Sequence, residues 1–240
     1  MVRIRTLVTA AALCLTAGSA HALPLVDIEA GARYWYANPG GEMAYNGRDL
    51  DVQDDLGFEK EWTPSFYARA AIPFVTLEVE HTDLSYTGST GDRSFTFGNR
   101  NFTASGQDTS FDMTMLHGSA MFSVPLPVVD IGLGLGATRL DAEGKVGNET
   151  ATAEVTLPVA KAEARVDFPL IPLIAVVKAN GIGYDGNNYR DVTAEIGYQM
   201  GPLQIRGGYR EVGLKYDDNS SDLVMDAQFS GPFGGLTLAF

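Results

Sequence analysis

Strict alternation of apolar and polar residues is the feature that most narrows what this chain can fold into. Val26, Ile28, Ala30, Ala32 and Tyr34 alternate with Asp27, Glu29, Gly31 and Arg33. Ala160, Ala162, Ala164, Val166 and Phe168 alternate with Lys161, Glu163, Arg165 and Asp167, and Val192, Ala194, Ile196 and Tyr198 with Thr193, Glu195 and Gly197. Two is the side-chain period of a β-strand, so these segments are strands with one apolar and one polar face. A membrane-crossing helix needs about 18 unbroken apolar residues. The longest apolar run of the body, Leu170 to Val177, is short and interrupted by Pro172.

The connections between strands fall into two kinds. Four are tight and proline-marked: Pro73, Pro125-Leu126-Pro127, Pro169-Leu170-Ile171-Pro172 and Gly201-Pro202. They alternate with polar, mostly longer ones near Asn38 to Thr63, Thr87 to Gln107, Glu143 to Thr150, Asp185 to Asn188 and Asp217 to Ser221. Proline suits the short turns because it fixes φ and needs no ladder partner. This punctuation gives about ten strands, with 8–12 as the range, and both termini at the short-turn end.

The first 22 residues read as a secretory signal peptide: Arg3 and Arg5, an apolar stretch from Leu7 to Thr16, and Ala20-His21-Ala22, with cleavage after Ala22 or Ala20. Its removal takes the only cysteine, Cys14, leaving no thiol chemistry. It also takes two arginines and no acid, so the net charge of −13 becomes −15. Such acidity argues against nucleic acid, whose phosphates need clustered Lys and Arg.

Alternation alone fits two folds: a soluble periplasmic β-sandwich and an outer-membrane β-barrel. Three features favour an all-β, antiparallel up-and-down barrel over residues 23–240. Short turns at one end and longer loops at the other are the barrel pattern, with turns in the periplasm. Aromatics collect near strand ends: Phe74, Phe122, Phe168, Tyr198 and Phe240 at the turn end, and Tyr34, Tyr36, Phe66, Tyr189 and Tyr216 at the loop end. The final strand carries Leu236, Leu238 and Phe240 on one face, like the terminal aromatic signal read by barrel assembly machinery. Two stretches are untidy: Met113 to His117 reads as changing face, and Arg139 falls in an apolar register, each explained by a bulge or by emergence above the membrane.

Several motifs together resemble a family of small bacterial outer-membrane barrels without an assigned activity. They are Ala30 to Trp35, Asp54-Asp55-Leu56-Gly57-Phe58, His81-Thr82-Asp83-Leu84 (where His81 stands for an aromatic), Arg93 to Gly98, Leu157-Pro158, Gly207-Gly208-Tyr209-Arg210 and Gly231-Pro232-Phe233 with Phe240. The resemblance spans the mature chain. It implies outer-membrane lipid, lipopolysaccharide, assembly machinery and periplasmic chaperones as partners, and carries no catalytic residues.

The polar parity places a charge network in the lumen. Its acids are Asp27, Glu29, Glu78, Glu80, Asp130, Glu163, Asp167, Asp191 and Glu195, and its bases Arg33, Arg69, Lys161, Arg165, Lys178, Arg206 and Arg210. A barrel of about ten strands is little wider than its own side chains, and buried charges must pair, so the expected lumen is a salt-bridged plug. The acidic first loop, with Asp49, Asp51, Asp54 and Asp55, is a weak divalent-cation candidate, since oxygen ligands suit Ca²⁺ or Mg²⁺. It does not match an EF-hand, and no cofactor is expected. His81, Asp83 and Ser85 are the one local trio offering base, orienter and hydroxyl, but their spacing of about 7 Å strains mutual contact. The reading is a structural or interaction barrel. A narrow channel, a lipid A-modifying or protease-type enzyme and the soluble sandwich remain as alternatives.

Overall fold

The computed structural model describes residues 26–45, 48–53, 56–90, 95–97, 100–102, 106–184, 187–218 and 223–240. Ten long strands run alternately up and down. They are β1 (Asp27–Tyr45), β3 (Glu61–Ile72), β4 (Val75–Ser89), β7 (Asp108–Pro125), β8 (Val129–Val146), β9 (Glu149–Asp167), β10 (Leu173–Tyr184), β11 (Asn187–Met200), β12 (Leu203–Asp218) and β13 (Leu223–Ala239). Each pairs antiparallel with the next, and β13 returns to β1 from Glu29↔Ala239 to Tyr45↔Leu223, closing the barrel. Reciprocal backbone bonds between Ile28 and Phe240, at 3.0 and 2.9 Å, extend this seam to the last residue. Closure satisfies the backbone groups that lipid could not. Of the short strands, β2 (Arg48–Asp51) folds back onto β1, while β5 (Phe95–Phe97) and β6 (Arg100–Phe102) form a ribbon in the second loop.

The outer face carries an apolar band. Val75, Leu77 and Val79 of β4, Ile131, Leu133 and Leu135 of β8, Ile196 of β11 and Leu236 and Leu238 of β13 are all exposed there. Phe74, Phe122, Phe168, Tyr198 and Phe240 border it at the turn end, where Phe74 and Phe122 stack at 6.1 Å. Pro73 and Phe74 make a two-residue turn between Ile72 and Val75, and Phe74 takes a φ of 71°, a place usually given to glycine. Its ring in the belt is what that backbone position holds outward.

The loop-end belt is only partly the expected one. Tyr34, Tyr36 and Phe66 face outward, joined by Trp62, which stacks on Tyr34 at 5.2 Å, and by Tyr209. Tyr189 instead points inward and is buried, because on β11 it shares parity with Asp191 and Thr193. The side chain of Tyr216 lies outside the described residues.

Neither untidy stretch is a bulge. β7 and β8 stay in one register from Thr109↔Val146 to Pro125↔Asp130, and Met113, Met115, His117 and Met121 all point inward. Arg139 follows Ile131, Leu133, Leu135 and Ala137 on the outer face and meets Asp141 and Glu154 at 3.0 and 2.9 Å. Strand parity never changes here. The polarity of each face does, because the strand has left the membrane.

Candidate functional site

In the turn-end half of the lumen, all seven expected cations reach a carboxylate. Asp191, Arg210, Glu80, Arg33, Glu195, Arg206, Glu29, Arg165 and Asp167 form one chain of alternating charge, with contacts from 2.7 to 3.2 Å. Glu78 accepts from both Lys161 and Lys178, and Arg69 pairs with Glu163. Hydroxyls and amides complete the shell: Ser65 and Arg210 bond Glu80 and Thr82, and Arg206 bonds Gln204. Tyr67 lies across the centre with the Arg33 guanidinium 4.2 Å from its ring centroid and the Lys178 ammonium at 5.5 Å. Gly31 makes that position possible, since a Cβ there would stand 2.5 Å from the Tyr67 ring. Charges so buried are tolerable only because each has a partner.

Asp27 departs from its predicted place. As the first residue of β1 it is exposed at the turn-end mouth, and with Asp130 it lines a recess of about 690 Å³ below the charged layer. Water can serve a carboxylate there, so nothing requires it to pair.

The loop-end half of the lumen holds something the sequence reading missed, an apolar core. Trp35, Leu84, Tyr86, Met113, Met115, Leu140, Val159, Tyr189, Val212, Phe229 and Phe233 pack there, joined by Val52, Leu56 and Phe58 of the first loop. Phe58 lies 6.1 Å from Tyr86 and 6.5 Å from Phe111, and the Thr109 hydroxyl donates to Leu56 O at 2.8 Å. Burying each large apolar side chain contributes roughly 1.5–3 kcal/mol. Gly231-Pro232-Phe233 also gains a physical meaning. The Trp35 indole donates to Gly231 O at 3.1 Å, and a Cβ on Gly231 would stand 1.9 Å from Tyr36 O. The motif lets β13 approach β1 closely where the core begins.

His81 Nε2 lies 2.9 Å from Asp83 Oδ2, so these two do meet, on the outer face above the apolar band. Ser85 instead donates to Asp112 at 2.6 Å, and Thr114 donates to Asp83, so base, orienter and hydroxyl are not linked as one relay. His117 is on the opposite side of the wall, buried, with Nδ1 3.0 Å from Thr138 Oγ1 and Nε2 without a partner among the described residues. In the first loop Asp51 accepts the Gln53 N–H at 2.8 Å. Asp54, Asp55 and the side chain of Asp49 lie outside the described residues.

No family model matches the chain, and no curated protein matches it in sequence. Among solved structures it is similar to the outer membrane protease OmpT of Escherichia coli, at 11% identity and a TM-score of 0.54, covering 89% of this chain and 97% of that one. It also matches Neisserial surface protein A (NspA), at 13% identity and 0.39, over 90% of this chain and 97% of the other. The translocator domain of autotransporter NalP from Neisseria meningitidis matches at 13% and 0.40, over 97% and 93%. At these identities the likeness is one of fold. With an apolar band outside, paired charges inside and a closed ladder, the chain is an integral β-barrel of the outer-membrane type.

Proposed function

We propose that this barrel serves as a closed structural or interaction protein, and that it belongs with the small outer-membrane barrels of unassigned activity its motifs resemble. The observation that carries this reading is a lumen filled twice over, by paired charge at membrane depth and by an apolar core at the mouth. A conducting path would need a continuous water-filled route through the lumen. On this reading the polar surface above the band is the working surface. Lipid and lipopolysaccharide surround the wall, and Leu236, Leu238 and Phe240 present the terminal strand to the assembly machinery and its chaperones after the leader is cleaved. Catalysis finds less support, because the His81–Asp83 and Ser85–Asp112 pairs are separate.

The test is conductance. Folded protein, identified by its heat-modifiable gel mobility, is expected to leave planar bilayers silent. Steady single-channel steps from that material would overturn the closed reading in favour of a narrow channel.

A further inference from the structure

Among the described residues, unequal strand lengths leave one edge bare above the membrane. β8 and β9 pair along their whole length, from Val129↔Val166 to Val146↔Glu149. β9 and β10 pair only from Ile174↔Asp167 to Gly181↔Ala160, above which β10 follows β11 as far as Tyr184↔Asn187. Residues 149–159 of β9 therefore have β8 on one side and, among the described residues, no strand on the other.

The ladder fixes which groups face the bare side. The Asp167 N–H donates to Val128 O, so odd-numbered residues of β9 bond β8. The Phe168 N–H donates to Leu173 O, so even-numbered residues turn toward β10. Carried up the strand, Thr150, Thr152, Glu154 and Thr156 direct their N–H and C=O groups to the open side. Pro158, which has no N–H, comes where pairing stops. Natural edges are blunted by Lys, Pro or a covering segment, and the far side of the same projecting sheet has such a cover. There β4 parts from β3 above Ser65↔Thr82, and Leu56–Phe58 of the first loop lies against it, with a Cβ on Gly57 standing 2.5 Å from Ser89 O. From Thr150 to Leu157 β9 has neither Lys nor Pro.

Side chains select the occupant. Thr152, Glu154 and Thr156 alternate with Ala153 and Val155, all exposed. Beside them the outer face forms a recess of about 530 Å³ in which Asp112, Asp141, Glu143 and Glu154 outnumber Arg139 and the adjacent Lys145, which pairs with Glu143. We infer that this edge accepts an extended segment of a partner protein as an added strand, with Lys or Arg toward the acidic recess and small apolar residues at alternate positions. Backbone bonds supply affinity and the alternating side chains supply selection. A second copy fits poorly, since it would bring an identical acidic recess against the first. The inference rests on the interaction reading and names its partner class. Its failure would leave the closed lumen, tested by conductance, untouched.

The test uses full-length folded barrel in detergent micelles and an acetylated eight-residue peptide of alternating Lys and Val. Binding should slow hydrogen exchange at the amides of Thr150, Thr152, Glu154 and Thr156. The double variant Thr152→Pro/Thr156→Pro removes two edge donors and leaves the β8 ladder intact, and should weaken binding about ten-fold or more. Glu154→Lys should also weaken it, and both variants should keep heat-modifiable mobility. The inference is overturned by absence of binding, or by unchanged binding of the proline variant or of a peptide N-methylated at alternate residues, either of which would assign binding to charge alone. Protection of the same four amides in the barrel alone, with cross-linking between copies, would make a second copy the occupant and overturn it too.

Discussion

The lumen at membrane depth and the lumen at the mouth are built from the same ten strands but obey opposite rules. Below, Leu133 and Leu135 face lipid while Lys161, Glu163 and Glu78 pair inside. Above, on the same faces of the same strands, Arg139, Asp141 and Glu154 face out while Leu140 and Val159 pack inside. The polarity of the wall inverts where its surroundings change from hydrocarbon to water. The upper part is organised like a soluble β-protein with an apolar core, and the lower part is its inverse. A polar face is thus defined by what it meets, and parity alone gives only which residues share a side.

The sharpest break of this contrast is to remove one charge from the lower half. Glu78 accepts from both Lys161 and Lys178, so Glu78→Gln leaves two buried ammonium groups without a carboxylate. The expected cost is about 3–5 kcal/mol, read from denaturant unfolding in micelles.

A second test sets the two zones against each other along one strand. Leu133→Arg places a cation against lipid and should cost about 2–4 kcal/mol near the bilayer midplane. Asp141→Arg, on the same face of β8 but above the band, loses only an exposed pair with Arg139 and should cost less than about 1 kcal/mol. Equal losses at both sites would mean that the apolar band extends past Arg139 and that the inversion is misplaced.

How much of this was legible in the sequence follows from the same inversion. The strand count and Leu236, Leu238 and Phe240 on one outer face follow from period two and the spacing of Pro-marked turns, because both survive in either zone, and the barrel follows once the short turns and longer loops are seen to fall at opposite ends. Cations of the charged layer such as Lys161 and Arg165 were readable because their parity opposes an apolar outer face along Ala160 to Phe168. The mouth core was not, because a rule that sends apolar residues outward misplaces Tyr189 and makes Met113 and Met115 look like a change of face. The signal was present in β8, where Ile131 to Leu135 and then Arg139 to Lys145 occupy one face. The contribution of Leu56 and Phe58 had no periodic signal, since it depends on the first loop folding back.

That loop gives the next test. Phe58→Ala removes a ring from the mouth core and should cost about 2–3 kcal/mol, below the range for a strand-held phenylalanine because a loop can settle into part of the space. It should nonetheless leave planar bilayers silent, because the charged layer closes the lumen separately. Channel steps in this variant would mean that the mouth core is the only seal.

The smallest effect belongs outside both fillings. Arg190 reaches Glu211 at 2.8 Å on the outer face above the band, about half exposed. Arg210 lies on the neighbouring strand with comparable distances to Asp191 and Glu80, but inside. Coulomb attraction between charges in water is weak and screened by salt. Arg190→Ala should therefore change stability by less than about 0.5 kcal/mol, and the difference should vanish in roughly 1 M salt. Arg210→Ala leaves two buried carboxylates short of a donor and should cost several times more at either salt concentration. If the two substitutions proved equal, distance would matter and burial would not, and the two halves of the wall would have no separate electrostatic rules.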